Sequence, residues 1–178
     1  MTARLLIEGG FGDAAAPVTK EKLAEITRPW GSAARPGVFV EKEVTVFSMS
    51  VPVEKLDEFV EKIFSPMFAS PLFAEAELTR LKNESLQSLR SSLRLEQIEL
   101  VGLVALDNIV HAGTSYAHPA VGTERGIEAV ARVDAMEFYK DHYRQGNMTL
   151  GLGTADPKAR QRLASALEKA GETNPVSL

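Results

Sequence analysis

The sequence predicts a mixed domain of helices and strands, and three observations predict it. Apolar residues recur at three- and four-residue spacing along several segments, the pattern of helices with one buried face. Only two segments, about 100 residues apart, carry the β-branched and aromatic run of a strand. The length of 178 residues is that of a single domain over 1–178, enough to bury about 70% of the surface of its unfolded chain.

Ala3 to Glu8 reads as a turn and a half of helix stopped by Gly9-Gly10, and Gly12 to Pro17 as a loop. Thr19 stands as the N-cap of a short helix through Ile26, ended by Pro29. Trp30-Gly31-Ser32 begins a turn. From Val38 to Val51 the chain reads VFVEKEVTVFSMSV, the best strand candidate, closed by Pro52. Leu56, Phe59, Val60, Ile63 and Phe64 then fall at helical spacing, with Pro66 and Pro71 breaking the pattern around a connector.

A longer helix is expected from about Ala74 to Leu93, with Leu78, Leu81, Leu89 and Leu93 inward and Arg80, Lys82 and Arg90 outward. Ile98 to Val110 is nearly all apolar, which predicts a helix buried on most sides. HAGTSYAHPAVGTERG reads as a long loop. Two short helices are expected to flank Val133-Asp134, with Asp134 capping the second. MTLGLGTA is the second strand candidate, and Asp156-Pro157 opens a last helix on Leu163, Ala166 and Leu167. Two strands alone make a poor sheet, so something further is expected to complete it.

Composition excludes several classes of function. Hydrophobic residues make up 44% and charged residues 25%, as in an ordinary soluble domain rather than a disordered chain. The net charge of −4 and the lack of any basic run argue against a nucleic-acid partner. Cysteine is absent, which removes disulfides, thiolate metal sites and a Cys nucleophile. No segment has the roughly 18 consecutive apolar residues of a membrane helix, and no signal peptide is legible. The expectation is a cytoplasmic protein, or a periplasmic one from which an upstream segment has been removed.

Residue chemistry alone assembles no active site. GLGTAD at 151–156 lacks the third glycine and the lysine of a phosphate loop and reads as a strand exit. No G-x-S-x-G elbow is present. The three histidines are His111, His118 and His142. The first two are separated by a glycine-containing loop rather than by one helical turn, and His142 beside Asp141 suits a solvent-facing position. Glu84, Glu96 and Glu99 read as a solvated helix face, and Phe138, Tyr139 and Tyr143 as core packing.

Three runs nevertheless resemble a known group in order and spacing: WGSAARPGVFVEKEVTVFSMSVP, PLFAEAELTRLKNESLQSLR and TSYAHPAVGTERGIEAVARVDAMEFYKDHYRQGNMTLGLG. They are similar to the insulinase/pitrilysin superfamily, which contains mitochondrial processing peptidase and bacterial heterodimeric zinc peptidases. The resemblance covers about residues 3–170. It implies an α+β fold, a predominantly antiparallel sheet covered by helices, with its first strands upstream of Met1. It also implies that the chain is a partial half of a two-domain clamshell.

Active members of that group carry H-x-x-E-H on a helix, two His ligands for zinc around a Glu that activates water. On that pattern Leu5-Leu6 take the spacer positions. Arg4 stands for the first His, Ile7 for the base and Glu8 for the second His. Ser88 falls near the third ligand, with Glu84 one turn earlier as the other choice of register. A guanidinium offers no lone pair to a metal and Ile7 accepts no proton, so no catalytic residue, metal ligand or cofactor is expected here, zinc belonging to active relatives.

What the resemblance implies is a non-catalytic homologue that binds peptide or supports a catalytic partner. Val38, Phe39 and Val40 would lie where active members add a substrate strand, although the group's Asn in that region is missing, with Gly37 near its place. Two alternatives stand beside it. One is a subunit of an active metallopeptidase whose ligands lie on another polypeptide. The other is a structural dimer module whose exposed sheet edge is closed by its own copy.

Overall fold

The opening segment forms a seven-residue helix, α1 (Thr2–Glu8), with Leu5 and Leu6 almost wholly removed from solvent. So short a helix has little stability alone, and packing against four other elements holds it. The computed structural model describes residues 1–31, 34, 36–91, 98–154 and 156–172. Expectations that rest on Ser32, Leu93, Glu96 and Ala155 lie outside the described residues, as does the side chain of Glu99.

After α1 come α2 (Lys20–Thr27), a 3₁₀ turn at Arg28–Trp30, and strands β1 (Gly37–Val40) and β2 (Thr45–Ser48). Then follow α3 (Leu56–Phe59), a π turn (Val60–Phe64), α4 (Ser65–Ala69), α5 (Glu75–Ser91) and α6 (Ile98–Val110). The chain closes with α7 (Glu124–Ala129), α8 (Arg132–His142) and α9 (Pro157–Glu172). The Thr19 side chain caps α2 by accepting from the Lys22 amide at 3.3 Å, as its position predicts.

The class is mixed and rich in helix. Among the described residues the sheet has two antiparallel strands, paired from Gly37 with Ser48 to Val40 with Thr45. A predominantly sheet architecture is not what these residues contain. The single strand expected over 38–51 is a hairpin, because Glu41-Lys42-Glu43 interrupts the apolar run and supplies its turn. The 148–154 part of the second candidate is extended and alternates half-buried Met148, Leu150 and Leu152 with exposed neighbours, yet it joins no ladder. Gly151 and Gly153 weaken it as a strand, and no described strand lies in register beside it.

Pro66 does not end its helix. The π turn immediately before it widens the backbone, with the Ser65 amide bonded to the Val60 carbonyl, and the helix resumes through Ala69. The loop after α6 is shorter than expected, since α7 starts at Glu124, capped by Thr123. Val133 and Asp134 lie inside α8 rather than before it; Asp134 accepts from the Ala131 amide at 2.8 Å, closing the first turn.

The core gathers α1, Phe11, the π turn with α4, the first half of α5, α8 and α9. Tyr139 and Tyr143 belong to it, whereas Phe138 is half exposed and stacks on His142 instead. Burial pushes the Tyr139 phenol up to about 12, and its hydroxyl donates to the Phe68 carbonyl. The largest departure is α6. It forms as predicted, but Leu103, Leu106, Ile109 and Val110 are each more than half exposed. Apolar composition creates a demand for burial; a neighbouring element must meet it, and among the described residues no element packs extensively on α6, which the hairpin tip touches through Lys42 and Asp107.

Candidate functional site

α1 enters the core on Ala3, Leu5, Leu6 and Ile7, which leaves Arg4 and Glu8 one turn apart on its remaining edge. That edge faces α5 and the start of α2. Arg4 binds Glu8 at 3.0 Å and Glu84 of α5 at 2.7 Å. Glu8 also accepts from Lys20 at 2.6 Å and Arg80 at 3.2 Å. Arg80 completes the cluster through Glu77 at 2.7 Å and Glu84 at 2.5 Å. Three cations and three carboxylates therefore form one charge-balanced network joining α1, α2 and α5.

The electrostatics follow from that closure. Burial pushes the Glu8 carboxyl up, but hydrogen bonds from Lys20, Arg4 and Arg80, together with the Arg4 charge, outweigh it and hold the group below the usual carboxylate range. Hydrogen bonds from Arg4 and Arg80 hold Glu84 down in the same way. Burial favours a neutral Arg80, and its three carboxylate partners reverse this, strengthening its charge.

The arrangement offers no metal a coordination shell. Both carboxylates that approach the matched positions are satisfied by guanidinium and ammonium donors, and Ile7 lies in the core. Of the two registers open on α5, Glu84 is the residue that reaches Arg4, while Ser88, one turn on, is exposed. Zinc does not fit these residues, and no group of three His, Asp or Glu side chains elsewhere among the described residues has ligand geometry.

Lys20 and Arg80 were not legible as part of this cluster, since Arg80 reads as a solvent-facing helix residue. The Glu77, Arg80, Glu84 spacing of three and four was the available signal.

The other sequence-predicted residues lie apart from it. Val38 turns inward against the core, Phe39 is 63% exposed, and Val40 is exposed beside it. β1 is paired along one edge only among the described strands. Across the ladder Phe47 packs edge-on against Phe68 and Tyr143, fixing the inner face. His111 lies 3.4 Å from Asp107 on α6, and His118 and His142 are exposed. A separate open groove of about 650 Å³ runs between the 12–19 loop, α2 and the π turn, over Pro17, Val18, Ile26 and Pro66. It contains none of the candidate site residues Arg4, Ile7, Glu8, Val38, Phe39, Val40 or Ser88.

Neither known family models nor curated proteins match this chain. The described residues themselves offer an ion-pair network at one helix edge, and a hairpin with one open edge and an exposed outer face.

Proposed function

We propose that this chain is a non-catalytic homologue of the insulinase-type zinc peptidases and acts by association, as a peptide-binding or partner-supporting subunit of a metallopeptidase assembly. The observation that carries the reading is the ion network at Arg4, Glu8 and Glu84 with Ile7 buried beneath it. The resemblance matches Arg4 and Glu8 to two ligands and Ile7 to the base, with Glu84 as the other register to Ser88 for the third ligand, and the charged side chains among them pair with one another rather than presenting free ligand atoms. In this reading the hairpin belongs to a larger antiparallel sheet completed by further strands. The open edge of β1, at Val38, Phe39 and Val40, takes an extended peptide through main-chain hydrogen bonds.

The test is metal content and hydrolysis together. After incubation with zinc and gel filtration, elemental analysis is expected to find zinc far below one per chain, and unfolded peptide substrates are expected to stay intact. Tightly held stoichiometric zinc, or hydrolysis that a chelator abolishes, overturns the proposal.

A further inference from the structure

Phe73, two residues before α5, has a φ of 48° and is the one non-glycine residue among those described in the left-handed region. That conformation is costly for a bulky aromatic residue and persists only where its surroundings impose it. Here the surroundings are identifiable. The ring is buried in the core, 5.5 Å from that of Tyr139. Arg132, the first residue of α8, donates through Nε to the Phe73 carbonyl at 2.6 Å and through Nη2 to the Leu72 carbonyl at 3.3 Å. An extended strand points successive carbonyls to opposite sides; the turn at Phe73 brings these two to one guanidinium.

The connector before Phe73 lies along the chain that leaves α1. The Gly12 amide donates to the Ser70 carbonyl at 2.9 Å, and the Leu72 amide donates to the Gly10 carbonyl at 3.0 Å. Phe11 between them also pairs with Val18 on its other side. Gly10 and Gly12 have φ of 83° and 88°, which glycine adopts without steric cost and phenylalanine does not. Arg132 breaks a local rule of its own, since a cation in the first turn of a helix opposes the helix dipole. Two locally unfavourable choices, 59 residues apart, thus meet in one contact, and each supplies the reason for the other.

We infer that Arg132 is the latch of this connector: its guanidinium holds Phe73 in the left-handed conformation, and its withdrawal frees residues 70–73 from Gly10–Gly12 while the core stays folded. The two carbonyls are the physical reason. Without the guanidinium, those of Leu72 and Phe73 lose these donors and turn to water. Return of Phe73 to negative φ then relieves the strain and re-aims the chain before it, on which the Leu72 bond to Gly10 depends. The latched segment ties the end of α1 to the start of α5, the helices that carry Arg4, Glu8 and Glu84. Its opening is the local movement that loosens one helix against the other.

Amide exchange of the full chain, read residue by residue by NMR, tests the latch. Arg132→Met keeps an apolar stem and removes the donors. It is expected to speed exchange at the Leu72 and Gly12 amides by about tenfold or more, with the amides of α4 and α8 staying within about twofold of the parent. Arg132→Lys, a cation without the fork, is expected to fall between the two. Unchanged exchange at Leu72 and Gly12 in a folded Arg132→Met chain overturns the inference. So does equal acceleration throughout the chain, which makes Arg132 an ordinary stabilising contact. Should Arg132→Met fail to fold, Arg132→Lys decides by the same two readouts. Neither readout bears on zinc content or hydrolysis, so the latch and the proposed function fail separately.

Discussion

Glu8 is held by three cations from three places in the chain, Arg4, Lys20 and Arg80. Replacing it by Gln removes the charge but keeps the shape, leaving Lys20 and Arg80 with one fewer anion. Glu8→Gln is expected to cost about 1–3 kcal/mol of stability at pH 7, since hydrogen bonds to charged, partly buried groups exceed ordinary ones. The pH dependence has a defined sign. Glu8 and Glu84 have carboxyls lowered in the folded state. Their stabilisation is therefore present above the unfolded carboxylate value of about 4.3 and is lost as pH falls through the folded values beneath it. Melting curves of parent and Glu8→Gln should differ most near neutrality and converge towards pH 3. An unchanging gap across that range would remove the network as the cause.

Among the elements, the hairpin and α6 show how local pattern and tertiary context divide the outcome. The inner face of the hairpin depends on Phe47, whose ring lies 5.6 Å from Phe68 and 6.1 Å from Tyr143. Phe47→Ala is expected to cost about 2–3 kcal/mol, below the full-burial figure because the ring is half-buried. Amide exchange should quicken in 37–48 more than in α5 if the hairpin is anchored through that ring. Helix positions were largely legible, because periodicity and caps such as Thr19 act within one or two turns. The hairpin was not, because a turn at Glu41 to Val44 inside a β-rich run carries no Gly, Asn or Pro to mark it. Exposure of α6 was not legible either: composition says that a helix seeks burial, never whether a neighbour exists to provide it.

For the molecule as a whole, α1 has a weight beyond its seven residues. It touches α4, α5, α8 and β1, and Leu6 at its centre is fully buried. Leu6→Ala is expected to cost about 2–5 kcal/mol, a large share of the 5–15 kcal/mol typical of a domain. The loss should appear as one cooperative shift of the urea midpoint with an unchanged slope. A separate early transition would show instead that α1 detaches by itself. The candidate site shares this dependence, since Arg4 and Glu8 reach α5 and α2 only while the buried face of α1 holds the helix in place.

Taken by itself, the sequence determined most of the helices, the Thr19 cap, the inward positions of Leu78 and Leu81 in α5 and of Leu163 and Ala166 in α9, and the absence of metal-binding residue types at Arg4 and Ile7. These follow from chemistry and spacing within a few residues. Tertiary structure alone decided that Glu84 rather than Ser88 meets Arg4, that Lys20 and Arg80 converge on Glu8, and that α6 stays open to solvent. Each of those depends on the relative placement of elements far apart in the chain. Local periodicity sets which face of a helix is apolar; only the packing of the rest of the chain decides what that face meets.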